Sequence, residues 1–338
     1  MSQRPLASVI ILTFNGERYL AEVLSAVFAQ ETTFPFEVIA IDSGSSDRTL
    51  EILAGYPVKL HRIPNSEFNH GETRNLGARL AQGDFVAYLT QSATPAGDRW
   101  LQYLVDAFSP GAQVGAVYGR HIPRPGCDPM TKRDIEEFFK MMGPEDTPTA
   151  RFIKEGPEGR AEYEQNEGII GFYSDANSCL RKSVWEKIPY QPLDYAEDQA
   201  FGRDILAAGY WKVYEPRAAV FHSHSYPLVQ YFRRQFDEYR GLRISIGYRQ
   251  EGSIFRVVGG AARAGWIDAG HIRRQPYSRP AKVKWMGYAF AAEFARRFAG
   301  YLAAREERLP KRIVRALSLE AKARAKAPKG RTPAPRRP

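Results

Sequence analysis

The sequence has little cysteine and no long apolar run. Its 338 residues include only two cysteines, Cys127 and Cys179. They are too few and too far apart for a disulfide framework or a zinc cluster, so we expect a reducing compartment. The start, Met1 to Pro5, lacks the features of a secretory signal, and we expect no export. No segment approaches the roughly 20 apolar residues of a membrane-spanning helix, so any membrane contact is expected to be peripheral.

Acidic residues are also scarce in the C-terminal third. From Ser225 to Pro338 there are 26 Lys and Arg residues against 8 Asp and Glu residues, whereas the whole chain has a net charge of +10. The preceding part is therefore acidic. A basic region of this size predicts an anionic partner such as lipid headgroups or nucleic acid. The hydrophobic fraction of 43% is typical of a globular protein.

Short apolar runs alternate with helical patterns through the first two thirds of the chain. The β-branched run from Ser8 to Leu12 predicts a buried strand, and a turn at Asn15-Gly16 precedes an amphipathic helix. The pattern then repeats. Strands are predicted at 36–41, 58–63, 84–89, 114–118 and 211–214, and helices at 48–54, 73–81, 98–108, 131–142, 182–187 and 196–208. This alternation predicts an α/β fold with a parallel sheet.

Composition divides the chain into three parts. Residues 1–226 form the predicted α/β domain, within which the segment 120–165 is rich in Pro, Gly and charge and is expected to be a mobile binding loop. Residues 227–320 form a basic region, where Ala281 to Arg308 has the pattern of an amphipathic helix. Residues 321–338 are basic and Pro-rich, and we expect a disordered tail.

Three polar segments follow predicted strands, and ligands in parallel sheets bind beyond the carboxyl ends of the strands. The segments are Thr13-Phe14-Asn15, Asp42 to Asp47 and Thr90 to Ala93. We expect them to converge on one pocket. The carboxylate of Asp42 has two possible roles there: it could accept hydrogen bonds from a base or a ribose, or it could cap a helix.

Charged residues are predicted at the starts of two helices near this pocket. Glu197 and Asp198 place adjacent carboxylates at its rim, where one could act as a general base or both could pair with the helix dipole. Arg74-Asn75 is predicted to begin a helix, where a guanidinium and a helix N-terminus both suit phosphate. The alternative for Arg74 is an ordinary surface arginine.

Two histidines, His222 and His224, follow the last predicted strand. We expect the two imidazoles, at positions i and i+2, to point to opposite faces, so that only one of them reaches a given metal ion. A structural histidine is the alternative. A divalent cation bound there could neutralise the negative charge of a phosphate group in the same pocket.

The order of these motifs resembles the family 2 glycosyltransferases of the GT-A fold, and within them the rhamnosyltransferases of cell-surface polysaccharide synthesis. The resemblance extends from Ser8 to about Tyr226. The motifs that carry it are Val-Ile-Ile-Leu-Thr-Phe-Asn-Gly from position 9, Ile-Asp-Ser-Gly-Ser-Ser-Asp at 41–47, Phe-Asn-His-Gly-Glu-Thr-Arg-Asn at 68–75, Leu-Thr-Gln-Ser-Ala at 89–93, Ser-Asp-Ala-Asn-Ser at 174–178, Ala-Glu-Asp-Gln at 196–199 and Phe-His-Ser-His-Ser at 221–225.

The resemblance implies a Rossmann-like, mostly parallel sheet flanked by helices, here with a basic, largely helical C-terminal extension. It also implies inverting transfer of a sugar, with a rhamnose-like deoxysugar favoured, from a nucleoside diphosphate donor to a lipid-linked or cell-surface glycan.

The resemblance further assigns roles to residues. Asp198 would be the general base with Glu197 beside it, and His222 would bind the metal with His224 as the fallback. Asp175, Asn177 and Arg181 would form the acceptor or donor-sugar wall. Arg74 would approach the base or the diphosphate. The other implied nucleotide-binding residues are Thr13, Phe14, Asn15, Asp42, Ser43, Gly44, Gln91 and Ser92.

Ser92 departs from the family pattern, which usually has an aspartate there. A serine hydroxyl is a weak, neutral ligand for a hard cation such as Mg²⁺ or Mn²⁺. Three outcomes are open: a metal held mainly by the diphosphate and His222, transfer without metal, or a catalytically impaired homologue that binds glycan or nucleotide sugar. We favour the first because the acidic pair and the two histidines remain.

The basic helices predict contact with anionic lipid, and so a peripheral position at the cytoplasmic, inner face of the plasma membrane. The alternative is a solvated, charged face of helices that pack on the catalytic domain. We expect no nucleic acid partner, because the basic tail lacks a recognised module and interleaved stacking aromatics.

Overall fold

A computed structural model describes residues 4–250 and 252–321. Within these residues, one sheet has nine strands, in the order β3-β2-β1-β4-β8-β6-β9-β5, with β7 paired to β9. The strands are β1 (Ala7–Thr13), β2 (Phe36–Asp42), β3 (Lys59–Arg62), β4 (Phe85–Thr90), β5 (Thr94–Pro95), β6 (Val114–Ile122), β7 (Thr149–Arg151), β8 (Asn177–Arg181) and β9 (Trp211–Phe221).

Helices cover both faces of this sheet and form the C-terminal region. They are α1 (Leu20–Phe28), α2 (Thr49–Ala54), α3 (His70–Leu80), α4 (Trp100–Asp106), α5 (Pro129–Met142), α6 (Gly156–Gln165), α7 (Glu167–Ile170), α8 (Lys182–Trp185), α9 (Glu197–Ala207), α10 (Leu228–Ile246), α11 (Ile254–Arg274), α12 (Arg279–Ala303) and α13 (Lys311–Leu317).

The N-terminal half of the sheet is parallel, as predicted. Strand β1 pairs with β2 and β4, and β2 pairs with β3. Alternate residues of β1 enter two separate cores: Val9 and Ile11 pack with α1 and α4, whereas Ile10 packs with α3 and α9. Burial on both faces explains why this strand is apolar throughout. Thr13 of β1 lies opposite Asp42 of β2, and Leu12 of β1 lies opposite Thr90 of β4. The ends of these three strands therefore lie together.

The second half of the sheet is mixed. Strand β8 runs antiparallel to both β4 and β6, and short strands β5 and β7 run antiparallel to β9. The strand predicted at 211–214 continues to Phe221, which carries the chain to the two histidines. The segment 120–165 contains α5, β7 and α6. The helix predicted at 131–142 is present as α5, and its residues Phe139 and Met142 are buried in the core.

Three long helices form most of the C-terminal region. Helices α11 and α12 approach closely at Gly265, where a Cβ atom would lie 2.5 Å from a ring carbon of Phe290. Phe236 of α10 is buried with Ala299 and Ala303 of α12. None of the helices in the described ranges is both long enough and apolar enough to cross a bilayer. The predicted disordered tail lies outside the described residues from position 322 onward.

Candidate active site

A cavity of about 440 Å³ lies at the carboxyl ends of β1, β2 and β4. This is the edge of the sheet at which the sequence predicts a ligand site. Eight of the residues proposed from the sequence line it, namely Thr13, Phe14, Ser43, Arg74, Gln91, Ser92, Asp175 and His224. The other eight do not line it, and most of them contact residues that do.

Asp42 shapes the loop after β2 instead of facing the cavity. Its buried carboxylate accepts hydrogen bonds from the backbone N–H groups of Gly44 and Ser45, both at 3.0 Å, and from the hydroxyl of Thr13 at 3.1 Å. Gly44 has a φ of +87°, a conformation that suits glycine. Asp42 does not cap a helix either, because α2 begins at Thr49 with Arg48 at its N-cap. Its contacts hold the loop, which presents Ser43 to the cavity.

The loops after β1 and β4 are joined at Phe14. Oε1 of Gln91 accepts from the Phe14 N–H at 3.0 Å, and Nε2 of Gln91 donates to the Phe14 carbonyl at 2.9 Å. Asn15 is exposed, and its Oδ1 accepts from the Ser46 N–H at 2.9 Å. The three predicted segments are thus tied into one wall by side-chain to backbone hydrogen bonds.

Arg74 lies at the centre of an acidic cluster. Its Nε atom is 2.7 Å from Oδ2 of Asp175, and its Nη1 atom is 2.6 Å from Oε1 of Glu197. Glu197 is buried, whereas we expected it at the pocket rim. The prediction that Arg74 begins a helix was wrong, because α3 begins at His70 and Asn69 caps it by accepting from the Glu72 N–H. The spacing of Asn69 and Glu72 is a capping signal that could have located this start.

The proposed base, Asp198, adjoins this cluster. Its Oδ2 atom accepts a hydrogen bond from the backbone N–H of Asp175 at 3.2 Å. Burial raises the pKa of Asp198 well above its ordinary value, Glu197 and Asp175 raise it further, and Arg74 opposes them. Burial also raises the pKa of Asp175, against the effect of Arg74. A carboxylate with a raised pKa is a better proton acceptor near neutral pH than an ordinary aspartate.

The two histidines converge, which corrects the prediction that they point to opposite faces. Their Nε2 atoms lie 3.2 Å apart, and Nε2 of His224 lies 3.3 Å from Oγ of Ser92. Successive side chains of an extended segment alternate, so positions i and i+2 lie on the same face, and the prediction applied this alternation wrongly. Burial lowers the pKa of His222 well below its usual value, with His121 and His224 adding to this effect.

These side chains could supply part of a metal site. Two imidazole nitrogens that occupy neighbouring positions around one cation, each at about 2.1 Å from it, lie roughly 3 Å apart, as these do. No group of three or more His, Cys, Asp and Glu side chains suited to a metal ion occurs in residues 4–250 and 252–321. A cation bound here would therefore need further oxygen ligands, such as those of a diphosphate.

Asn177 and Arg181 do not reach the cavity, so their predicted place in the sugar wall was wrong. The Asn177 side chain is buried and bonds with the indole N–H of Trp100 at 2.7 Å and the Ala218 carbonyl at 2.8 Å. Arg181 pairs with Phe85 at the far end of β4, and its guanidinium donates to two backbone carbonyls. Strand β8 runs antiparallel to β4, so Arg181 at the end of β8 lies beside the start of β4, at the end of the strands remote from the cavity.

Other cavity residues were not proposed as site residues from the sequence, although Thr90 belongs to a segment that was expected to reach the pocket. They are Leu12, Asn65, Phe68, His70, Tyr88, Leu89, Thr90, Tyr195, Tyr226, Arg234, Leu319 and Glu320. Phe68 and His70 belong to the motif at 68–75 that carried the resemblance, and this motif could have identified them as cavity residues. Arg234, Leu319 and Glu320 come from the C-terminal region, and only tertiary packing brings them here.

The comparisons with known proteins identify the fold and then the family. The solved structure of the mannosyltransferase PcManGT from Pyrobaculum calidifontis, in complex with GDP-Man and Mn²⁺, superposes with a TM-score of 0.52 at 18% identity. The superposition covers 95% of this chain and 79% of that one, and the GT-A fold of glycosyltransferases is confirmed. A family model described as Glycosyl transferase family 2 matches residues 8–188. The chain belongs to this family and is a glycosyltransferase.

Two curated relatives match over most of their length. The O-antigen chain rhamnosyltransferase RfbN of Salmonella typhimurium is 30% identical over 236 residues, which covers 68% of this chain and 70% of that protein. The O-antigen chain rhamnosyltransferase WbaN of Salmonella anatum is 30% identical over 240 residues, covering 69% and 71%. The predicted resemblance to the rhamnosyltransferase branch is confirmed at this level of identity.

Proposed function

We propose that this glycosyltransferase moves a rhamnose-like deoxysugar from a nucleoside diphosphate donor to a lipid-linked or cell-surface glycan, with inversion. The observation that carries the proposal is the acidic pair Asp175 and Asp198 beside a cavity lined by Thr13 and Ser43. The two O-antigen rhamnosyltransferase relatives support the sugar and the glycan acceptor. The GDP-Man complex of the structural relative supports a nucleotide-sugar donor.

In this proposal, the wall formed by the β1, β2 and β4 loops binds the nucleotide. Thr13, Phe14, Ser43 and Gln91 contact the base and the ribose. Asp42, Gly44 and Asn15 do not contact the nucleotide in this proposal. They fix the shape of the loops whose other residues contact it. The carbonyls and hydroxyls of this wall suit the hydrogen-bond donors of a base and a ribose.

Asp198 acts as the general base. It takes the proton of the acceptor hydroxyl while the hydroxyl oxygen attacks the anomeric carbon, and the bond from that carbon to the phosphate oxygen breaks. The nucleoside diphosphate leaves with the bonding electrons. One displacement of this kind inverts the anomeric configuration. Glu197 and Arg74 act indirectly, because their opposite charges set the proton affinity of Asp198.

A divalent cation, Mg²⁺ or Mn²⁺, would be held by His222 and His224 together with oxygens of the donor. Bound there, it would neutralise negative charge on the leaving diphosphate. The Mn²⁺ in the structural relative supports this part of the proposal. Ser92 would contribute at most a neutral hydroxyl, next to His224.

A membrane surface is the proposed second partner. Helix α11 exposes an apolar stripe, here defined as Phe255, Val258 and Trp266, with exposed fractions of 83%, 51% and 76%. The exposed arginines Arg256, Arg263, Arg273 and Arg274 lie on the same helix. Aromatic side chains flanked by cations are typical of helices that lie in the interface of an anionic bilayer. This arrangement supports peripheral binding to anionic lipid, which we place at the inner face of the plasma membrane.

A thermal-shift panel tests the proposed function. The purified chain is heated with UDP, GDP and dTDP, each with Mn²⁺, Mg²⁺ or EDTA. Binding to the folded state raises Tm, and a ligand at 100 times its Kd stabilises by about 2.7 kcal/mol. We expect one base to give the largest rise. Absence of a shift with every nucleotide would contradict the proposal. A chain that binds a nucleotide in this panel but transfers no sugar in a separate assay would favour the alternative of a catalytically impaired homologue that binds nucleotide sugar.

A further inference from the structure

Arg234 of α10 lines the nucleotide cavity and was assigned no role above. Its Cζ atom lies 4.7 Å from the centre of the Tyr195 ring. Within the described ranges, no carboxylate lies within ion-pair distance of its guanidinium. The cation therefore stacks on an aromatic face while its N–H groups have no anionic partner there.

The other charged residues that line the cavity have partners. Arg74 is paired with Asp175 and Glu197. Glu320 lies 3.4 Å from Nε2 of His70. Among the lining Arg, Asp and Glu side chains, the described structure thus leaves only the charge of Arg234 without a partner of opposite sign. A bound diphosphate would add at least two negative charges to this cavity, and it needs a cation that is not already neutralised.

We propose that Arg234 binds the diphosphate of the donor and stabilises the departing nucleoside diphosphate. The inference rests on the proposed function, since it concerns the donor in the same cavity. A guanidinium presents a planar fork of N–H groups that matches phosphate oxygens, and stacking on Tyr195 holds that plane without using the N–H groups. Arg234 and Ser92 line the same cavity. Arg234 supplies a positive charge there, whereas Ser92 supplies only a neutral hydroxyl.

This assignment makes the C-terminal helical region part of the donor site. The nucleotide wall comes from the loops of the sheet, and the phosphate-binding cation comes from α10. The packing of α10 on α12 through Phe236 therefore positions a residue that contacts the substrate.

The experiment measures binding of a nucleoside diphosphate and of its parent nucleoside by isothermal titration calorimetry. The base is the one of UDP, GDP and dTDP that binds the full-length chain most tightly, and EDTA removes divalent cations. The variants are Arg234→Gln and Arg234→Lys. Arg233→Gln is the matched control, because Arg233 is the neighbouring arginine on α10 and does not line this cavity.

We expect Arg234→Gln to raise the Kd of the diphosphate about tenfold or more and to leave the Kd of the nucleoside unchanged. Arg234→Lys should lose less, because the charge remains. Arg233→Gln should bind like the wild type. An unchanged Kd in Arg234→Gln, or an equal loss for the nucleoside, overturns the inference and leaves the proposed function standing. If the wild type binds no nucleoside diphosphate, both fail.

Discussion

The backbone N–H of Asp175 donates a hydrogen bond to Oδ2 of Asp198, with 3.2 Å between the two atoms. The other oxygen, Oδ1, accepts from the Gln199 N–H at 2.8 Å. These contacts hold the Asp198 carboxylate at the start of α9, close to the side of the cavity where Arg74 and Asp175 lie. An aspartate fixed in this way meets the positional requirement for a general base.

The pH dependence of transfer should shift in opposite directions in two variants. Burial, Glu197 and Asp175 raise the pKa of Asp198, and Arg74 lowers it. Transfer needs the deprotonated form, so the rate falls as the pH drops through this raised pKa. Glu197→Gln should move the acid limb of kcat/KM to lower pH, and Arg74→Gln should move it to higher pH. The measurement is a pH–rate profile of each variant.

Glu164→Gln serves as the control for this comparison, since Glu164 is an exposed residue of α6 and pairs with Arg160 at 3.5 Å. Its profile should coincide with that of the wild type. Shifts in the same direction for Glu197→Gln and Arg74→Gln would argue against electrostatic control of Asp198.

Asn177→Leu should destabilise the protein. Asn177 joins α4 to the second half of the sheet through Trp100 and Ala218, and leucine of similar size leaves these buried groups without partners. We expect the free energy of unfolding to fall by about 2–4 kcal/mol. Urea denaturation measures it. In contrast, Gln165→Ala at an exposed position of α6 should change it by less than about 0.5 kcal/mol, and equal stabilities of the two variants would contradict this structural role.

The sequence predicted the parts of the fold that local patterns encode. The apolar runs of β1, β2 and β4 identified the parallel half of the sheet, since strands buried on both faces are apolar throughout. The loops after these strands were placed in one cavity because parallel strands end at a common edge. The direction of β8 was not predicted, because a single strand has no local signal for antiparallel pairing.

Side-chain direction was the weaker part of the site prediction. His222 and His224 were assigned to opposite faces, although side chains at positions i and i+2 of an extended segment lie on the same face and these two converge. Asn177 and Arg181 were placed near the sugar by motif position alone. The contribution of Arg234 depends on how α10 packs against the rest of the chain, and no sequence period encodes that contact.

Membrane binding should depend on the apolar stripe of α11. Phe255→Asp combined with Trp266→Asp replaces two exposed aromatic side chains by charges that anionic lipid repels. We expect this double variant to lose at least about tenfold in partitioning to phosphatidylglycerol-containing vesicles. Vesicle sedimentation at low and high salt measures the effect, and wild-type binding should weaken as salt rises.

Leu60→Asp is the control, because Leu60 is an exposed apolar residue of β3. It should sediment with vesicles like the wild type. A wild-type chain that fails to bind anionic vesicles even at low salt would contradict the proposed membrane surface.

The most direct test of the account is single-turnover sugar transfer by Asp198→Asn, with the nucleotide sugar of the base that binds best and a membrane glycolipid fraction as acceptor. Asparagine keeps the shape of the side chain but cannot take the proton of the acceptor hydroxyl. The account predicts that nucleotide affinity is retained and that transfer slows by about 10²–10⁴-fold. Transfer by Asp198→Asn at the wild-type rate would contradict it.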